Sequence, residues 1–113
     1  LRAAGLRIRA GADFELIDPE DDARYRDYWE DYLRLRRREG VTADIAKSML
    51  RRSSTTIASM MVRRGDADAA LCGLQGRWEA HFEHVSDVIG QAPGAICFAA
   101  VNALMLERHT LFI

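Results

Sequence analysis

Met60-Met61-Val62-Arg63-Arg64-Gly65-Asp66-Ala67-Asp68-Ala69-Ala70-Leu71-Cys72-Gly73 is the stretch on which the fold turns. Its first part closes an apolar periodic run with two arginines and a glycine. Helices end this way, because glycine accepts the left-handed turn. Its second part, Ala69 to Cys72, is a continuous apolar run bounded by Asp68 and Gly73, as expected for a strand buried on both faces. A helix leading straight into such a strand predicts an α/β layer architecture.

Upstream, Ile57, Met60 and Met61 share one helix face. Before them Ser53-Ser54-Thr55-Thr56 marks a bend, or a place where small residues let another backbone approach. Thr42 is an N-cap for a helix presenting Ile45, Ala46, Met49 and Leu50. A further helix is expected from about Ala23 to Glu39, with Tyr25, Tyr28, Trp29, Tyr32 and Leu35 as an aromatic stripe and Gly40 as its stop. Asp18-Pro19-Glu20-Asp21-Asp22 punctuates its start, supplying an N-cap and favourable charge. Leu6–Arg9 and Phe14–Ile17 read as short extended runs.

Downstream, Gly73 to Gly76 form a loop and a helix is expected from about Arg77 to Ile89. Pro93-Gly94 is a turn. Ala95 to Leu106 is almost wholly apolar, and length alone does not separate strand from helix; strand is favoured at least through Ala100. Glu107 to Thr110 then connects to Leu111-Phe112-Ile113 as a hairpin. The chain opens on Leu1 without a methionine and closes on an apolar triplet that reads as an interrupted strand, so it is expected to be a piece of a larger protein.

The chain has 113 residues, with 49% hydrophobic and 29% charged residues and a net charge of −1. That is the composition of an ordinary globular domain, without the long-range field that would draw nucleic acid or an anionic membrane. No apolar run approaches the roughly 20 residues needed to span a bilayer, and no signal-peptide pattern opens the chain. A cytoplasmic location is expected. Cys72 and Cys97 are expected to be free thiols in apolar surroundings.

Of the 16 basic residues 15 are arginine, and Arg34, Arg36, Arg37 and Arg38 are grouped at a helix end. Such a group is either a solvated face suited to the helix dipole or an anion site, since guanidinium meets phosphate through two parallel hydrogen bonds. His81 and His84 lie three apart on one helix, a geometry that permits a metal. No third ligand follows at a recognisable spacing, and no metal site is assigned. Glycine-rich phosphate-binding signatures and nucleophile systems are not found.

Phe14-Glu15-Leu16-Ile17-Asp18-Pro19, Tyr28-Trp29-Glu30, Arg37-Arg38-Glu39-Gly40-Val41-Thr42 and the block from Met60 to Gly73 resemble phosphotransacetylases. Gly76-Arg77-Trp78, His81, His84-Val85 and Asp87-Val88-Ile89-Gly90 resemble the version fused to the C-terminus of bacterial NADP-dependent malic enzymes. The resemblance implies a two-lobed α/β fold related to isocitrate and isopropylmalate dehydrogenases, with helices packed on a short mixed sheet. Residues 1–20 would end the first lobe and 21–113 would form most of the second. It implies acetyl-CoA as an effector, a homo-oligomer, and a parent chain using NADP and a divalent metal, Mg or Mn. No cofactor is expected in this stretch itself.

The resemblance also assigns residues. The family has an arginine four positions before the glycine of its G-[VI]-T segment, which here is Arg36. Arg36 and the neighbouring Arg37 are therefore candidate contacts for coenzyme A or another anion. A second family arginine falls on Glu83, whose carboxylate would repel an anion by several kcal/mol, an order-of-magnitude figure for unit charges about 4 Å apart. Arg77 is the candidate replacement. Where active members have a histidine followed by small hydroxyl residues, this chain has Gly76-Arg77-Trp78. The family's catalytic serine-arginine pair and aspartate lie beyond Ile113, so no catalytic residue is assigned. The expected role is regulation and assembly in a malic enzyme. The alternatives are part of an active phosphate acetyltransferase, or a ligand-free oligomerisation module.

Overall fold

The computed structural model describes residues 5–113; the first four positions of the expected first-lobe segment lie outside the described residues. Among the described residues the order is α1 (Tyr25–Arg36), a 3-10 turn (Arg37–Glu39), α2 (Ala43–Arg52), α3 (Ser54–Arg64), α4 (Trp78–Val88), β1 (Ala103–Met105) and β2 (Thr110–Phe112). The chain is thus α/β with a small antiparallel sheet, in which Ala103 pairs with Phe112, Leu104 with Leu111 and Met105 with Thr110.

The helices form where periodicity places them, but Arg24, not an acid of 18–22, is at the N-cap position of α1 and provides no side-chain cap. Asp22 opens α1 from outside: its carboxylate accepts from the Arg24 backbone N–H at 2.8 Å and from the Arg24 side chain. The Arg24 hydrogen bond holds the Asp22 carboxyl below its usual range against the opposing effect of burial. Thr42 caps α2 through the Ile45 N–H. The chain breaks at Ser53, whose hydroxyl accepts from the Thr56 N–H at 3.1 Å and so starts α3 afresh. Gly65 ends α3 with φ of 80°. There the Asp66 N–H reaches Met61 O at 2.8 Å and the Gly65 N–H reaches Val62 O at 3.1 Å, satisfying the last carbonyls.

The core lies among α1, α2, α3 and the end of α4. Tyr28, Tyr32, Ala46, Leu50, Ile57, Met60 and Val88 are buried there, with Tyr25, Trp29, Leu33, Met49 and Met61 packed around them. The aromatic stripe of α1 and the apolar faces of α2 and α3 thus meet as their spacing requires. Ile45, on the expected face of α2, is exposed instead, because the buried line of the helix runs through its neighbour Ala46 and Leu50 one turn on. Thr55, Thr56 and Ser59 are also buried. Small hydroxyl side chains let the start of α3 enter the core with their polar atoms bonded: Ser59 Oγ to Thr55 O, and Thr56 Oγ1 to Ser53 Oγ, both at 2.8 Å.

The strand expectations are corrected in part. The hairpin forms, but β1 begins at Ala103, and Ala95 to Ala100 is neither strand nor helix. Ala69 to Cys72 is not in a sheet, and Leu71 is 100% exposed. Leu6–Arg9 and Phe14–Ile17 form no ladder beyond one bridge between Ala10 and Phe14. The sheet found among the described residues is antiparallel, not mixed. The reason is common to all these segments: an apolar run becomes a two-sided buried strand only when neighbouring strands take its backbone hydrogen bonds.

Candidate functional site

Arg36 ends α1, and its guanidinium faces α4. Nη1 lies 3.0 Å from Asp87 Oδ1, and Nη2 lies 2.7 Å from Glu39 Oε2 in the following turn. Its Nε is buried and has no hydrogen-bond partner. Beneath it, burial pushes the Tyr32 phenol up, opposed by the Arg36 charge and assisted by Asp87 and Glu39. Arg36 therefore joins two helices and also keeps unused hydrogen-bonding capacity.

The other candidates are elsewhere. Arg37 is exposed on the 3-10 turn. Arg77 precedes the first turn of α4, with a largely exposed side chain 3.4 Å from Glu79. Asp87, which holds Arg36, is ten residues further along the same helix, about 15 Å at 1.5 Å per residue. Arg36 and Arg77 thus flank opposite ends of α4 and do not converge on one phosphate-sized group. Glu83 is exposed between them.

A second polar centre lies at the start of α3. His81 Nε2 is 2.6 Å from the Gln75 carbonyl oxygen, and its Nδ1 is 2.7 Å from Thr55 Oγ1. A carbonyl only accepts, so in the neutral ring the proton sits on Nε2 and the Thr55 hydroxyl donates to Nδ1. This arrangement ties the loop at 73–76 to α3 and α4. Beside it is a cleft of about 910 Å³ lined by Ser54, Thr55, Leu71, Cys72, Leu74 and His81, among others. The sequence shows the hydroxyl run and the histidine pair separately; their 26-residue separation conceals the contact.

A third cluster closes the opposite end of α3. Arg64 pairs with Asp31 and lies 3.5 Å from Asp27 and 3.6 Å from Asp66. Asp66 accepts the Tyr28 hydroxyl at 3.1 Å. Arg63 donates to Val88 O at 2.8 Å, supplying the C-terminal cation that α4 lacks in its own last turn.

Comparison with known proteins adds three findings. The phosphate acetyl/butaryl transferase family matches residues 1–113. The chain is 44% identical over 112 residues, 99% of its length, to the NAD-dependent malic enzyme of Rhizobium meliloti (strain 1021). It is 40% identical over its whole length to the NADP-dependent malic enzymes of Escherichia coli (strain K12) and Haemophilus influenzae (strain ATCC 51907 / DSM 11121 / KW20 / Rd). It spans 14% of the first of these relatives and 15% of the other two.

Proposed function

Because the chain belongs to the phosphate acetyl/butaryl transferase family, we propose that it is the regulatory and assembly portion of a malic enzyme and senses acetyl-CoA without transferring its acetyl group. The observation that supports this is the 40–44% identity to malic enzymes over 99–100% of this chain, which spans 14–15% of their length. The parent would oxidise malate to pyruvate and carbon dioxide, with the dinucleotide and a divalent metal held by other parts of the polypeptide. This stretch is similar to NAD- and NADP-dependent relatives to nearly the same degree, so it does not discriminate between those cofactors. The reading includes the two-lobed fold, a cytoplasmic homo-oligomer and packing against the rest of the parent chain.

Arg36 is the chosen effector contact, because its guanidinium combines a fixed position with an unpartnered Nε. Arg37 and Arg77 are secondary, Arg77 serving an anionic group distant from the one at Arg36. Glu83 supports the absence of acetyl transfer, since a carboxylate stands where active members attract an anion. The test is calorimetric titration of the full-length protein with acetyl-CoA, alongside assays of malate oxidation and acetyl transfer. Saturable binding that inhibits malate oxidation, without acetyl transfer, is the expected result. Absence of binding would remove the effector reading.

Two observations favour other readings. The family's description favours an active acetyltransferase, which formation of acetyl-CoA from acetyl phosphate would establish. The occupied guanidinium of Arg36 favours a ligand-free assembly module; an unchanged acetyl-CoA response in Arg36→Ala would select it.

A further inference from the structure

We propose that Glu39 is a built-in, displaceable occupant of the phosphate-binding edge of Arg36, while Asp87 holds the guanidinium in place; this rests on the reading of Arg36 as an effector contact. A guanidinium offers a phosphate two parallel N–H groups along the edge formed by Nε and Nη2. Glu39 meets that edge only through an ion pair, with Oε2 2.7 Å from Nη2. The other half, Nε, is buried without a partner. A phosphate of an acyl-CoA that takes Glu39's place can meet both N–H groups, whereas the carboxylate makes one ion-pair contact and leaves Nε without a partner. Asp87 is on the remaining nitrogen, Nη1, and need not move.

The two carboxylates differ in the ways this exchange requires. Glu39 is 54% exposed and ends a three-residue 3-10 turn before Gly40, so water accepts its displaced charge. Asp87 is 26% exposed and belongs to α4, which is packed against α3. Exposed ion pairs are weak, so the occupant raises the effector threshold modestly without closing the site. Phosphate binding and release of the Glu39 side chain are then one event, at the turn that joins α1 to α2.

The experiment is acetyl-CoA calorimetry on the full-length protein and its Glu39→Gln, Asp87→Asn and Arg36→Lys variants. Glu39→Gln is expected to bind roughly two- to fivefold tighter, the range a weak ion pair permits. Asp87→Asn is expected to bind no tighter than the unsubstituted protein, and Arg36→Lys, which lacks the fork, more weakly. Equal affinities for Glu39→Gln and the unsubstituted protein overturn the occupant role while leaving the effector reading intact. Tightening by Asp87→Asn equal to that of Glu39→Gln also overturns it, since the displaced carboxylate would then be Asp87. No binding by any of the four proteins overturns both.

Discussion

Tyr28 shows how much a single side chain joins. Its ring is in the core with 1% of its surface exposed, its hydroxyl donates to Asp66, and Arg64 lies 5.7 Å from the ring centre. Burial, then the Asp66 hydrogen bond and charge, push its phenol up from the usual 10 to about 12. The folded state therefore favours the neutral phenol. The stability this contributes is complete below pH 10 and is lost as the pH rises from 10 to about 12. Tyr28→Phe is expected to lose that part of the alkaline dependence and about 1 kcal/mol near neutrality, read from urea denaturation at several pH values. At the same scale, Thr55→Val removes the hydroxyl that donates to His81 and preserves the shape. Faster amide hydrogen exchange at Gly73–Gly76 is expected, with the exchange of α1 unchanged.

At the scale of elements, the three helices α1 to α3 are legible because each carries an apolar face at helical spacing. Thr42 and Gly65 do in the structure what their positions predict. Leu50 is fully buried where α2 meets its neighbours, and Leu50→Ala is expected to cost about 2–5 kcal/mol by denaturant titration. Gly65→Ala places a Cβ on a backbone with φ of 80°. The space is open, so the penalty is backbone strain alone, about 1 kcal/mol in the same measurement. The strand expected at 69–72 does not form. Its apolar run reports what the segment would bury against, and strands have no internal hydrogen bonds with which to form alone.

At the scale of the whole molecule, the two halves of the chain differ. The helices bury a shared core, whereas Leu71, Leu74, Ile96, Met105 and Phe112 are exposed. The covering surface under the proposed function is the rest of the parent chain. Amides at 69–75 and 95–101 are then expected to be strongly protected from hydrogen exchange in the full-length protein and weakly protected in this stretch alone. Equal protection in both would contradict that. The helices, the Thr42 cap, the Gly65 stop, the C-terminal hairpin and the family follow from the sequence, since these depend on spacing and residue chemistry within short windows. That Arg36 is tied to Asp87, and that His81 meets Thr55, was settled by tertiary packing alone. Those outcomes depend on how packed helices bring together residues 26 to 51 positions apart, and periodicity within one helix carries no information about the register of another.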